Sequence, residues 1–294
     1  MSYGYVWIII GAAQWAFLLF IGVLQYVRLD QRRGYEGKRV LENRSVQRQA
    51  ASHLWWRRLQ AARWLSATAD GRDRGIIHRL LLDRHPGVQS AATSSLLRYA
   101  DEDLISLILE RLASRSTAVR LYQAGVLRQC SQVTVPLLLD RLRADVAPEQ
   151  LHAYISLAAS LDSLECVERV ATLSTHQNAE VRVAVAKALQ RFNNESSVIK
   201  LLTMLRDPDW RVRAQAARGL GVLHDERAIQ DLLRALRDQT WWVRFRAGLA
   251  LAALGDPGRA ALDGARELSD RYARDMAAFV MGLSASSVTE LSEG

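Results

Sequence analysis

The 294 residues hold little of what chemistry usually requires. Only two cysteines occur, Cys130 and Cys166, both in apolar helical contexts and in different stretches of the chain. A reduced cytoplasmic setting without a structural disulfide is the simple reading, and neither thiol is given a metal or nucleophile role. The six histidines (His53, His78, His85, His152, His176, His224) are scattered, and no pair has the spacing that sets two metal ligands on one helix face. No glycine-rich loop cradles a phosphate, because the glycines fall where helices end. Sustained alternation with period two is missing as well, which excludes a sheet. These absences predict an all-α chain that is no enzyme, with no catalytic, cofactor-binding or metal-binding residue and no small-molecule substrate.

Charge is missing from one long stretch. Tyr5 to Val27, YVWIIIGAAQWAFLLFIGVLQYV, is 23 residues without Asp, Glu, Lys or Arg. At about 1.5 Å per residue it reaches roughly 34 Å, enough to cross a bilayer core with some tilt. A cleavable leader fits less well, since no basic residue precedes the run and no small-x-small site comes after it. Arg28, Arg32, Arg33, Lys38 and Arg39 lie directly C-terminal to it, so the positive-inside rule places the rest of the chain in the cytoplasm, with the N-terminus outside a bacterial-type inner membrane. Between Arg28 and Arg63 ten basic residues face three acidic ones, which accounts for seven of the chain's net +8. The remainder is close to neutral. Those five cations are the candidate contacts to anionic lipid head groups. A nucleic-acid binder would carry its charge along the rest of the chain, and this chain does not.

What is abundant is repetition. DPDWRVRAQAARGLG, from Asp207 to Gly221, carries a valine, an arginine directly after it, two alanines four and five places on and a leucine at the eighth. Val181, Val212 and Val243 are spaced by 31, as are Val88 and Val119, and a degraded copy sits midway, anchored at Gln150 with Leu151, Tyr154, Ile155 and Ala158. Stepping outward by the same interval reaches Arg57 and Arg274, the latter placing Ala278 and Phe279 at the alanine positions. Such a period marks units that bury their apolar faces only by stacking. Anchor, fourth, fifth and eighth places share one helical stripe, and a second amphipathic run such as AIQDLLRALRD lies between copies, so each unit is a helix pair.

The pattern DP-x-x-x-VR-x-x-A-A-x-x-LG resembles HEAT repeats, in particular the short HEAT-like type of phycobilisome bilin lyases. The resemblance covers roughly residues 52–283 and implies an α-α superhelix, a solenoid of helix pairs. It also implies a ladder of charge-assisted hydrogen bonds between units, from the aspartate of a turn and the arginine after the valine. Asp207 with Arg213 and Asp238 with Arg244 fit it, while Ser114 and His176 stand where aspartate is expected and Gln89 where arginine is. HEAT-like di-iron hydroxylases use paired His-Glu motifs, and this sequence has no His-Glu dipeptide. A lyase-like enzyme or chaperone acting on a cofactor-bearing protein is the alternative reading, but no bilin site can be carried over from the repeat type alone.

Tryptophan marks the starts of the motif helices: Trp55 and Trp56, Trp210, Trp241 and Trp242, each one or two places before an anchor and next to arginines such as Arg211. Two readings stand, an exposed protein-binding edge or rings packed over the gaps between repeats. The solvent-facing places of the motif helix add Arg63, Tyr122, Gln215, Arg218 and Arg246 as groove candidates. The expected organisation is a transmembrane helix at 5–27, a basic juxtamembrane segment at 28–51, the repeats at 52–283 and a disordered tail at 284–294. The expected function is a membrane-anchored cytoplasmic scaffold for a protein partner, within an envelope or polysaccharide-related complex.

Overall fold

The computed structural model describes residues 39–161, 163–192 and 194–293. Segment 5–27, together with Arg28, Arg32, Arg33 and Lys38, lies outside them. Among the described residues no helix is long and apolar enough to cross a membrane.

Seventeen helices and no strand make up the described chain. They are α1 (Arg39–Ala50), α2 (Trp55–Thr68), α3 (Arg74–Leu81), α4 (Pro86–Thr93), α5 (Glu102–Glu110), α6 (Thr117–Gln129), α7 (Ser131–Arg141), α8 (Pro148–Ala158) and α9 (Leu164–Thr172). There follow α10 (Ala179–Leu189), α11 (Glu195–Met204), α12 (Trp210–Leu223), α13 (Ile229–Ala235), α14 (Trp241–Ala253), α15 (Asp256–Ala265), α16 (Arg271–Met281) and α17 (Ala285–Glu293). The described residues fall into two compact units that divide between Leu104 and Ile105.

The motif helices α2, α4, α6, α8, α10, α12 and α14 begin at Trp55, Pro86, Thr117, Pro148, Ala179, Trp210 and Trp241, a spacing of 31 throughout. Local chemistry sets these starts. Asn178 Oδ1 accepts from Glu180 N, and Asp209 Oδ1 from Arg211 N, each at 2.8 Å. His85 Nδ1 accepts from Gly87 N, with Pro86 in the first helical position where no amide is needed. Val88, Val119, Val181, Val212 and Val243 are all buried, and so are the alanine pairs such as Ala216 and Ala217. In the second unit consecutive motif helices lie side by side, α10 on α12 and α12 on α14, with the intervening helices packed behind them.

Three expectations need correction. At the degenerate copies the anchor itself is exposed: Arg57 and Gln150 face solvent, and the core is filled by Ala61, Ala62 and Leu65 or by Leu151, Tyr154 and Ile155. The last copy slips by one residue, because α16 starts at Arg271. Its buried stripe is Ala273, Met276, Ala277 and Val280, while Ala278 and Phe279 point outward. Finally, residues 285–293 form a helix where a disordered tail was expected. Val288 is buried there, and Arg246 Nη1 donates to the Leu291 carbonyl at 2.7 Å, which satisfies an end group of a helix too short to hold alone.

Candidate functional site

An arginine ladder ties the turns together, with a pairing that differs from the expected one. Three of the ladder arginines reach forward 25 residues to the aspartate of the following turn: Arg58 to Asp83, Arg182 to Asp207 and Arg213 to Asp238. Its own turn receives it through carbonyls: Arg213 Nη1 donates to Asp207 O at 2.9 Å and Pro208 O at 3.1 Å. Arg213 Nε and Nη2 meanwhile grip Asp238 at 2.7 and 2.9 Å. The same aspartates fix the next helix start, since Asp207 Oδ1 accepts from Asp209 N and Asp238 Oδ1 from Thr240 N. One guanidinium therefore clamps two successive turns.

Burial pushes the Asp238 carboxyl up, but the Arg213 hydrogen bond and the Thr240 amide outweigh it and hold the group below its ordinary range. Asp83 is held low in the same way by Arg58 and the His85 amide, again against burial. Arg211, bonded to Asp209 and to Glu180 of the preceding unit, draws the Asp209 carboxyl down to about 2.

Gaps in the ladder come in matched pairs. Gln89 replaces the arginine and Ser114, 25 residues on, the aspartate; Leu151 and His176 repeat the coincidence. Asp145 is present, yet it bonds Arg143 rather than Arg120. Arg244 holds the carbonyls of Asp238 and Gln239 but meets the ring of Tyr272, 4.7 Å from the centroid, instead of a carboxylate. Arg274 donates to Leu268 O and Ser269 O, so it is the ladder arginine of the last copy and not its anchor.

The tryptophans stand at the first two positions of their helices, 41% to 50% exposed, too open for core residues and too covered for free ones. In the first unit Trp55 stacks on His85 with centroids 4.1 Å apart, and Trp56 meets it edge to face. In the second unit Trp241 stacks on the buried Phe245 at 4.8 Å and touches Trp242 edge-on at 4.9 Å. Phe279, 51% exposed, continues this cluster at 6.2 Å from Phe245. Trp210 holds the equivalent place on α12, beside Arg211. Phe279 and Tyr272 were missed in the sequence because the one-residue slip of α16 hides their outward direction.

Of the groove candidates, Gln215 bonds Gln190 of α10's end at 3.0 Å, Tyr122 is half-buried on α6 and Arg63 is exposed on α2. Arg218 and Arg246 come together, lining one cleft with His224 and Arg259. His224 lies at the C-terminal end of α12 in the left-handed region, φ 51°, and its Nδ1 is 2.9 Å from the Ala253 carbonyl. Among the described residues no three His, Cys, Asp or Glu side chains converge as a metal site requires. Cys130 and Cys166 are buried free thiols.

No curated protein matches the sequence. Solved structures with similar helical arrangement include Escherichia coli YibA, at 19% identity over 86% of this chain and 99% of that one, with a TM-score of 0.39. An engineered protein aligns at 19% identity over 80% of this chain and 77% of that one, TM-score 0.36. Human deoxyhypusine hydroxylase in complex with glycerol aligns at 18% identity over 84% and 98%, TM-score 0.34. The sequence profile described as HEAT repeats matches residues 135–208 and 200–284, together just over half of the chain. With motif helices starting every 31 residues from Trp55 to Trp241, the chain belongs to the HEAT-repeat family.

Proposed function

We propose that this protein is a membrane-anchored scaffold, whose apolar segment 5–27 fixes the repeats to the cytoplasmic face of an inner membrane. There the repeats hold a protein partner belonging to a membrane complex, with the basic segment after the span resting on anionic head groups. One observation supports the binding role above others: five tryptophans, half exposed, recur at the first two positions of motif helices, and Trp55 and Trp241 are stacked on His85 and Phe245. Rigid, partly desolvated tryptophan next to arginine is what dominates protein interfaces energetically, because little rotamer freedom is lost on binding.

Anchoring is tested separately from binding. A cytoplasm-active reporter fused after the last residue should be active, and a chain lacking residues 1–27 should leave the membrane fraction in high salt. A reporter active only outside the cytoplasm would overturn the topology and the class of partner with it.

A further inference from the structure

From Arg58 to Arg213, each arginine that follows an anchor has an aspartate 25 residues on: Asp83 for Arg58, Asp145 for Arg120, Asp207 for Arg182 and Asp238 for Arg213. Arg244 has none, since Ser269 stands at that distance and the half-buried Leu268 at the equivalent place of the turn. Its Nη1 holds the Asp238 and Gln239 carbonyls at 2.7 and 3.0 Å, as Arg213 holds those of its own turn. The other edge of the fork differs. Arg213 Nε donates to Asp238 at 2.7 Å, whereas Arg244, only 8% exposed, has its Nε buried with no acceptor among the described residues.

We propose that the Nε edge of Arg244 is a carboxylate-binding site, and that the protein partner fills it with an aspartate or glutamate side chain while its neighbouring residues lie on the adjoining rings. The inference rests on the reading of the tryptophan edge as an interface and names the chemistry which that edge recognises.

Three observations carry it. The first is the fork itself. A buried charged N–H without an acceptor is costly, and the same fork two and one rungs earlier, at Arg182 and Arg213, takes both oxygens of a carboxylate. The second is that the acids around it are engaged elsewhere. The Asp238 carboxylate belongs to Arg213, Asp270 accepts from the Ala273 amide at the start of α16, and Asp275 pairs with Arg271. What Arg244 meets instead is the Tyr272 ring, which attracts its charge but leaves the Nε hydrogen unbonded. That cover is light: Tyr272 is 61% exposed in the first turn of α16, and an exposed side chain changes rotamer freely. The third is the setting. Trp241 lies three residues before Arg244 on α14 and so on the same side of the helix, stacked on Phe245, with the exposed Phe279 continuing the cluster from α16. A carboxylate seated on Arg244 would thus be ringed by aromatic surface, where a charge-assisted fork is shielded from water and gives an interface its specificity.

The test uses the full chain in polymer discs and a fluorescein-labelled peptide of residues 205–212, LRDPDWRV, the turn whose Asp207 fills the fork of Arg182. With two arginines and two aspartates it carries no net charge from its side chains, so bulk attraction does not drive its binding. Fluorescence anisotropy should show saturable binding to wild type, about tenfold weaker when Asp207 of the peptide is replaced by Asn. Arg244→Lys, which keeps the charge and loses the fork, should cost as much, and so should Leu268→Asp, which supplies the carboxylate from within the chain and keeps Arg244 intact. Tyr272→Ala, which removes the competing ring, should tighten binding about threefold. Absence of binding to both wild type and Tyr272→Ala, or indifference to Leu268→Asp or to the Asp207→Asn peptide, would overturn the proposal. Partner capture by Leu268→Asp and Trp242→Ala side by side separates this site from the edge: loss with Trp242→Ala alone would leave the edge an interface and remove the carboxylate from it, while loss with Leu268→Asp alone would keep the fork and discard the tryptophans.

Discussion

Asp238 is the residue that best shows how the repeats are joined. It accepts two hydrogen bonds from Arg213 of the preceding unit and one from the Thr240 amide of its own turn. Its folded pKa lies below the ordinary value of roughly 3.9. A group depressed on folding contributes stability that is present above its unfolded pKa and disappears as pH falls through the folded one. Replacing Asp238 by Asn should therefore cost about 2 kcal/mol at pH 7, the usual range for a hydrogen bond to a charged group. That difference should shrink below about pH 4, and urea melts of both proteins across the range would show it. The opposite experiment adds a rung. Arg244 holds its own turn's carbonyls as Arg213 does, but the position equivalent to Asp238 in the next turn is Leu268. Leu268→Asp should raise stability by about 1 kcal/mol if the carboxylate displaces Tyr272 from the guanidinium. A fall of that size in a thermal melt would show that the ring already serves there. Asp207, Arg213 and Asp238 were legible in the sequence as members of the ladder, but Asp83 was not, and neither was the pairing. A 25-residue separation becomes a contact only once the stacking of one turn on the next is known.

At the scale of helices, the motif's small residues explain how closely neighbours approach. A Cβ built on Gly221 would lie 2.8 Å from the Ala250 Cα, so α12 and α14 touch backbone to backbone at that point. Gly221→Ala should force the pair apart and destabilise by about 1–3 kcal/mol, the usual cost of overpacking. Val212→Asp, in the fully buried stripe of α12, should be worse, since it buries an unpaired charge. Denaturant midpoints of the two variants order these effects. A harmless Val212→Asp would contradict the register itself. The sequence was most informative here, because a stripe of valine and alanine every 31 residues has few structural alternatives. It failed where the stripe is ambiguous. In α16 both Ala273 with Ala277 and Ala278 with Phe279 satisfy an apolar pattern, and only packing selects the first pair. In α17 a single buried valine among serines and glutamates gives no periodic signal.

For the molecule as a whole, the division of labour follows composition. Net charge is concentrated in the segment after the apolar run, and the exposed tryptophans sit in the repeats, so under the proposed function attachment and recognition would fall to different parts of the chain. The central claim is that the tryptophan edge is a binding surface held by the repeat scaffold rather than a set of packing residues. Trp242 is the most exposed of the five. The direct test is quantitative capture of membrane partners by the full chain in polymer discs, wild type against Trp210→Ala and Trp242→Ala, with melting temperatures measured on the same samples. The account predicts partner recovery weakened by about 2 kcal/mol in affinity at a true hot spot while the melting temperature barely moves. Undiminished capture together with a stability loss of about 3–5 kcal/mol, the cost of truncating a buried tryptophan, would contradict it.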